Sequence, residues 1–299
     1  MSTLPGRRSD QLLLVRSRLE EQYRAFDCVE SAADPVHRVR PFSSAEDREI
    51  AAFCAAGLAF GRVAGVLQSI DALLAVMGQS PAAYVRRFDA ARDGAALRSL
   101  GHRWIRGRDL VALMLVLQRM LRDAGTIERF FVRGDDPAAP DLGPALESFS
   151  TRALETDLRP AYGRVPRRPG VAYFFPRPSA GSACKRLNLF LRWMVRADAI
   201  DLGAWTSVAP ARLVVPLDTH VIRLGRCLGL TNYSSPGWKM AAEITASLRA
   251  IDPADPVRYD FALCHIGMMK ACGYGTRQGD SRCPLRGVCR PCGAVRRRS

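Results

Sequence analysis

The chain has 299 residues, and its 44 lysines and arginines outweigh 29 aspartates and glutamates to give a formal net charge of +15. This length supports a large hydrophobic core, which excludes a small fold that depends on disulfide bonds for stability. No run reaches the ~18 apolar residues of a membrane span and the N-terminus lacks the apolar segment of a signal peptide, so we expect a cytoplasmic protein without a membrane partner.

Leucine, alanine and arginine recur at helical spacing, and alternating β-branched runs are scarce, so the sequence predicts an all-α protein. A serine at 235 followed by Pro236 predicts a helix whose first residue is the proline. Loops rich in proline start at residue 134 and span 165–181, and they separate a helical first half from a second half. The predicted helices are residues 9–27, 44–60, 63–77, 80–90, 108–123, 126–132, 185–196, 201–206, 219–229, 236–250 and 257–272.

Nearly all the positive residues are arginines, whose planar guanidinium group suits phosphate, so the charge is compatible with a nucleic-acid partner as well as with an ordinary soluble surface. Two segments carry the residues of most chemical interest. GSACKRLNLFLRWMVR (181–196) places Lys185 at the start of an apolar helix, where the helix dipole disfavours an ammonium group. VVPLDTHVIRLGRCLGL (214–230) places Asp218 as an N-cap. Considered separately, Lys185 is typical of a surface lysine and Asp218 of a residue that only caps a helix.

Taken together, the two segments resemble a known superfamily. Residues 181–188 are similar to the Gly-x-Gly-x-Lys-x-Ala-Asn hairpin of the helix-hairpin-helix DNA glycosylases, and LDTHVIRLGRCLGL resembles their Val-Asp-Thr-His-x-x-Arg segment. Lys185 and Asp218 lie 33 positions apart, a spacing similar to that of the archaeal 8-oxoguanine glycosylase branch. SACKRLN, LRWMVR and PLDTH also resemble a bacterial family of unknown function. The resemblance to this family covers most of the chain.

The resemblance implies a two-lobed glycosylase-like fold over residues 1–270, with the helix-hairpin-helix motif at about 170–196 and the catalytic aspartate segment at 214–230. It also implies a monomeric, nucleoid-associated DNA repair enzyme that excises an oxidised purine, 8-oxoguanine, from double-stranded DNA. Lys185 would form a Schiff base and Asp218 would steady the sugar cation, with AP lyase activity as the consequence. Two alternatives stay open: a DNA-binding relative without catalysis, and an alkyl-base glycosylase that uses Asp218 and water.

The same resemblance assigns DNA contacts to the hairpin and to the aspartate helix. Ala183 replaces the second hairpin glycine, and because alanine tolerates positive φ poorly we expect a distorted hairpin there. A flipped base needs a pocket with stacking and hydrogen-bonding groups. The predicted DNA-binding residues are Gly181, Ser182, Ala183, Arg186, His220 and Arg223, and the candidate base-pocket residues are Gln68, His102, Trp104 and Trp205.

The last region, residues 271–299, is a basic tail rich in cysteine. Four thiols with short spacings in a cytoplasmic protein are typical of a metal site. The piece CPLRGVC is similar to the end of the iron–sulfur loop of the endonuclease III branch, although the second ligand of that loop falls near Asp280. We expect a [4Fe-4S] cluster or zinc, with decayed free thiols as the alternative, and the predicted ligands are Cys272, Cys283, Cys289 and Cys292.

Overall fold

The computed structural model describes residues 5–28, 34–269 and 282–289, with side chains from residue 13 onward. The expected all-α class is confirmed, because helices dominate this part of the chain and its strands are limited to one short antiparallel hairpin. No helix in the described ranges combines the length and the apolar character that a membrane crossing requires. The chain divides into two compact units, one of residues 32–209 and one that joins residues 1–31 to 210–299.

The unit of residues 32–209 contains most of the helices and the hairpin. A short 3₁₀ segment at Pro35–Arg38 precedes them, and two more, at Gly170–Phe174 and Pro178–Ala180, lead into its last helix. Its elements in chain order are α2 (Ala45–Leu58), α3 (Val63–Met77), α4 (Pro81–Arg86), α5 (Gly94–Arg98), β1 (Gly101–His102), β2 (Ile105–Arg106), α6 (Gly107–Ala124), α7 (Ile127–Val132), α8 (Gly143–Ala153), α9 (Arg159–Tyr162) and α10 (Lys185–Val195).

The core of this unit forms where α2 packs on α10. Phe53 of α2 lies 5.2 Å from Phe190 of α10 and 5.5 Å from Phe175, measured between ring centroids. At Gly57 the helix approaches Phe174 so closely that an added Cβ would lie 2.7 Å from that ring. Burial of this much aromatic surface fixes the position of α10, and therefore of Lys185, relative to α2.

The other unit contains α1 (Pro5–Phe26), α11 (Thr219–Cys227), α12 (Trp238–Arg249) and α13 (Asp260–Met268). The N-terminal helix packs near the start of α13, where Glu20 accepts a hydrogen bond from Arg258 at 3.0 Å and from the Tyr259 hydroxyl at 3.3 Å. Tyr23 also meets Tyr259 edge to face, with the ring centroids 6.3 Å apart. A helix from the beginning of the chain thus completes the unit that carries Asp218.

Several sequence predictions need correction. The segment 201–206 is irregular and not helical, because Leu202 N–H donates to Trp193 O and Trp205 N–H donates to Met194 O, both at 2.7 Å. These bonds tie the segment to the end of α10 instead of to itself. The helix predicted at 236 begins at 238, after Gly237, and the helix predicted for 80–90 ends at Arg86. Helices α5 and α8 and the β1–β2 hairpin have no counterpart among the predicted elements.

Candidate functional site

The turn that leads into α10 is built on two residues in the left-handed region. Gly181 has φ of 78° and Cys184 has φ of 49°. Ser182 Oγ accepts a hydrogen bond from Cys184 N–H at 3.1 Å, and Ala183 O accepts one from Asn188 Nδ2 at 3.0 Å. Ala183 itself does not adopt positive φ. The left-handed conformation falls on Cys184, the next residue of the turn, which also lacks the freedom of glycine.

Lys185 is the first residue of α10, and its side chain is half-buried. It makes no hydrogen bond or ion pair with any residue in the described ranges of the chain. No side chain caps the helix at Cys184, so the N–H groups of the first turn are also without a side-chain acceptor. The amine thus lies at the positive end of a helix dipole without a carboxylate from the described residues beside it.

A contact with DNA phosphate requires an exposed side chain, and Arg186 is buried instead. Its side chain is 9% exposed, and its guanidinium carbon lies 3.3 Å from the centroid of the Tyr173 ring. It donates hydrogen bonds to Tyr173 O and, at 3.5 Å, to Gly57 O. Burial lowers the pKa of Arg186 to about 10. This arginine fastens the 3₁₀ segment at Gly170–Phe174 to α2 and α10, and is not available to a ligand in solution.

Asp218 is the N-cap of α11, as its position in the sequence predicts. Its Oδ1 accepts hydrogen bonds from His220 N–H at 2.8 Å and Val221 N–H at 2.7 Å. The second oxygen, Oδ2, lies 3.2 Å from Cys264 Sγ on α13. The thiol donates to this oxygen, so both carboxylate oxygens are held in place. No local pattern in the sequence pairs Cys264 with Asp218, because the two residues are 46 positions apart.

His220 and Arg223 lie where α11 meets α13. A Cβ added at Gly267 would lie 2.4 Å from His220 Cβ, and Arg223 donates a hydrogen bond to Gly267 O at 2.6 Å. Both side chains are half-buried. They hold the two helices together through the backbone of α13, which leaves their predicted role in DNA binding as a prediction.

The structure brings together two of the four candidate base-pocket residues around Phe60. His102 is 7% exposed, with Nε2 2.8 Å from Phe60 O and Nδ1 2.9 Å from Ser69 Oγ. Trp104 is 52% exposed and its ring centroid lies 4.7 Å from that of Phe60. Gln68 is exposed on α3, next to Ser69 in the chain. Phe60, His102 and Trp104 thus form an aromatic cluster. His102 is its buried member and Trp104 its exposed member.

Trp205 is separate from that cluster. It is 4% exposed, packs on Phe131 and Phe190, and donates from Nε1 to Glu49 at 2.8 Å. An indole that is enclosed by core residues and already hydrogen-bonded has no face for a base, so the structure contradicts its place in a base pocket.

Two of the four predicted metal ligands, Cys272 and Cys292, lie outside the described residues. Cys283 is 7% exposed and Cys289 is half-buried, and the neighbouring Leu285 and Val288 are buried. Within the described ranges no three histidine, cysteine or acidic side chains come together as a metal site. Because the described ranges include only two of the four predicted ligands, the cluster or zinc site stays a prediction.

Comparison with known protein families assigns the chain to one family. The family model described as "Protein of unknown function (DUF2400)" matches residues 34–269. The chain belongs to this family. The DUF2400 match includes Lys185, Asp218 and the aromatic cluster, and it leaves out α1 and the cysteine tail. Neither the curated proteins nor the solved structures gave a match.

Proposed function

We propose that this DUF2400 protein is a DNA glycosylase with AP lyase activity that acts on double-stranded DNA containing an oxidised purine. The observation that carries the proposal is the environment of Lys185. The chain has only three lysines, Lys185, Lys239 and Lys270. Lys239 is exposed on α12, whereas Lys185 is half-buried at a helix start, with no partner among the described residues. A nucleophilic amine must be free to approach C1′, and no ion pair with a described residue holds Lys185 away from it.

In the proposed reaction the Lys185 amine attacks C1′ of the damaged nucleotide. The bond between C1′ and the base nitrogen breaks, and the base leaves with the bonding electrons and takes up a proton. Loss of the amine proton and opening of the sugar give a Schiff base between Lys185 and C1′, from which β-elimination expels the 3′ phosphate. The chemistry needs no cofactor at the sugar.

The resemblance to the glycosylases supports a role for Asp218 in steadying the positive charge that develops on the sugar or in taking a proton from the amine. The hydrogen bonds that Asp218 accepts from the first turn of α11 fix the orientation of the carboxylate, so capping and catalysis are compatible. The thiol of Cys264, which donates to Oδ2, is a positioning group in this scheme. The resemblance to the archaeal 8-oxoguanine glycosylases favours 8-oxoguanine as the base.

Borohydride trapping tests this proposal. We expect a covalent adduct with a duplex that contains a single 8-oxoguanine, formed together with strand cleavage. Lys185→Gln should lose the adduct completely, because no other amine can replace a positioned nucleophile. Lys239→Gln, which removes an exposed lysine, is the matched control and should keep the adduct.

The other outcomes separate the alternatives. Base release without an adduct would replace the lysine mechanism by one in which Asp218 activates water. Binding of the damaged duplex with neither base release nor strand cleavage would contradict catalysis and leave a DNA-binding protein. An adduct that persists in Lys185→Gln would exclude this lysine as the nucleophile.

A further inference from the structure

The β1–β2 hairpin borders a cleft of about 480 Å³ that is lined by residues 98–101, 103 and 105–108. Four of these residues are exposed arginines, which we call the arginine cleft: Arg98, Arg103, Arg106 and Arg108. None of the four forms an ion pair with a carboxylate in the described part of the chain. Exposed arginines elsewhere in this unit are of both kinds, since Arg122 and Arg159 pair with Asp123 and Asp157 whereas Arg62 and Arg164 pair with no carboxylate of the described residues. The cleft is therefore distinguished by the crowding of its four arginines.

The crowding of four arginines in one cleft points to a ligand with several negative charges, because the neighbouring carboxylate, Asp109, is hydrogen-bonded to Arg106 N–H and to the Tyr162 hydroxyl. Guanidinium groups that crowd one cleft repel each other, and an anion offsets that repulsion. Guanidinium also binds phosphate in a bidentate way, which favours phosphate over a simple halide or carboxylate surface. Four arginines, spread over the end of α5, the hairpin and the first turn of α6, match a chain of phosphates better than a single phosphate group.

The hairpin turn adds an aromatic surface beside the arginine cleft. Trp104 is the exposed member, and its ring lies 4.7 Å from Phe60 and 5.2 Å from Tyr173. Arg103 adopts the left-handed conformation, with φ of 54°, and this places its guanidinium carbon 5.3 Å from the Trp104 ring. Gly61 gives the Arg103 side chain room, since an added Cβ would lie 3.2 Å from its Cδ.

Buried contacts hold the rings of Phe60 and Tyr173, on which Trp104 packs, in place. His102 bonds to the Phe60 carbonyl at 2.8 Å, and the Arg186 guanidinium lies against the Tyr173 ring. Contacts of this kind fix the rings before any ligand arrives, which reduces the entropy lost on binding. An exposed tryptophan on a rigid support is therefore suited to stacking, whereas a large exposed aromatic side chain without a ligand only adds unfavourable apolar surface.

From these two features we infer that the hairpin surface binds single-stranded DNA, with backbone phosphates in the arginine cleft and an unpaired base stacked on Trp104. A duplex does not offer a free base face, because each base is covered by its neighbours. Aromatic stacking beside a cationic groove is how proteins bind single strands without sequence preference. This activity goes beyond the proposed base excision, because it needs neither Lys185 nor Asp218.

Tryptophan fluorescence tests the stacking. Titration with an oligo-dT strand of about 12 nucleotides, a length within the usual site size, should quench the emission of Trp104. Trp193 and Trp205 are 0% and 4% exposed and contribute little to this change, and the half-buried Trp238 is present in every variant, so the quenching lost in Trp104→Phe is that of Trp104. Trp104→Phe should keep the affinity and lose most of the quenching, whereas Trp104→Ala should weaken binding about tenfold.

Two arginine pairs test the cleft with the same loss of charge. Arg98→Gln/Arg106→Gln should weaken binding of oligo-dT at least about tenfold and reduce the slope of log affinity against log salt by about 1.4, since each phosphate contact on a single strand contributes about 0.7. Arg122→Gln/Arg159→Gln removes two exposed arginines outside the cleft and should change both quantities much less. All variants replace exposed side chains, and their circular dichroism should match that of the unchanged protein.

The inference is overturned if both arginine pairs weaken binding equally, because the net charge alone would then explain it. It is also overturned if a blunt duplex of the same length binds as tightly as oligo-dT with no effect of Trp104→Ala, or if inorganic pyrophosphate displaces the strand at equimolar concentration. Binding is measured without base release. An inactive protein that binds oligo-dT would therefore contradict only the glycosylase proposal, and an active one that does not bind would contradict only this inference.

Discussion

Glu49 on α2 is a buried carboxylate that receives three hydrogen bonds. The donors are the backbone N–H groups of Ile127 and Glu128, both at 2.7 Å, and Trp205 Nε1 at 2.8 Å. Burial raises the pKa of Glu49 to about 7 from 4.5, although the three hydrogen bonds act in the opposite direction. One side chain thus ties α2 to the start of α7 and to the segment after α10.

Glu49→Gln is expected to lower the free energy of unfolding by about 1–3 kcal/mol, because the amide NH₂ would face an N–H donor. The pH dependence has a definite sign. Since the pKa is higher in the folded protein than in the unfolded chain, Glu49 contributes most stability below pH 4.5 and loses it as the pH rises to about 7. Urea unfolding across this range should show a smaller loss of stability in Glu49→Gln than in the unchanged protein.

Glu46→Gln on the same helix provides the control. Glu46 pairs with Arg86 at 2.7 Å, and its side chain is 47% exposed. An exposed ion pair contributes at most about 1 kcal/mol. If both variants lose the same stability, or if the unfolding free energy of both falls in parallel between pH 4.5 and 7, burial of Glu49 does not have the predicted effect.

A second buried ionic group fixes the loop after α10. Asp201 is 4% exposed and pairs with Arg192 at 3.2 Å and also with Arg196, which in turn lies 2.9 Å from Asp198. Burial raises the pKa of Asp201 to about 6 despite the two arginines. Ionic groups this deeply buried cost desolvation energy, so their benefit lies in a defined loop path rather than in added stability.

At the scale of elements, α11 and α13 pack against each other in the unit that carries Asp218. This contact depends on Gly267, whose missing Cβ lets the backbone of α13 lie against His220. Arg223 donates to Gly267 O across the same contact, and the Cys264 thiol reaches Asp218 one turn earlier on α13. The position of the proposed catalytic carboxylate therefore depends on how closely these two helices approach.

Gly267→Ala is expected to lower the free energy of unfolding by about 1–3 kcal/mol, because the new methyl group would overlap His220. In addition, base release should fall, since α13 must move away and take Cys264 with it. Gly65→Ala is the matched control within a helix. An added Cβ there meets nothing within 4 Å, and replacing glycine by alanine in α3 should leave stability unchanged or raise it. Thermal unfolding and a base-release assay measure the two effects, and equal stability of the two variants would show that α13 has room at Gly267.

At the scale of the whole molecule, metal analysis tests whether the cysteine tail binds a metal. We expect purified protein to contain iron and acid-labile sulfide, or zinc, in a fixed ratio to the chain. Cys289→Ser should lose that metal because a ligand is removed, whereas Cys28→Ser, which replaces an exposed cysteine of the other end of the chain, should keep it. Metal analysis and the visible absorbance spectrum decide between the two metals. A chain with neither would contradict the predicted site.

Part of the fold was predictable because its signals are local. The helical class follows from the 3.6-residue spacing of apolar side chains. Helix α3 has the predicted bounds, and α7 begins one residue later than predicted because Thr126 is its N-cap. The start of α11 follows from Asp218, whose carboxylate bonds to N–H groups two and three residues away. Segment 201–206 is a failure of the same reasoning, because its hydrogen bonds go back to α10 and not to its own backbone.

The candidate sites were only partly predictable, for the same reason. The sequence marks Lys185 and Asp218 through short motifs, but it gives no sign that Arg186 is buried under Tyr173 or that Cys264 touches Asp218. It names Trp104 and His102 without Phe60, which joins them. The four arginines of the cleft were a signal within residues 98–108 that a search for charge clusters would have found.

The sequence by itself determined the helical class, the helix that Lys185 begins and the cap that Asp218 forms, because each depends on atoms within a few residues. Only the tertiary structure decided which side chains are open to a ligand. Trp104 is exposed and Trp205 is enclosed, although both are aromatic residues between helices, because their exposure depends on partners more than 40 positions away in the chain, Phe60 for one and Glu49 for the other. Burial is a property of packing between distant segments, and no local pattern encodes it.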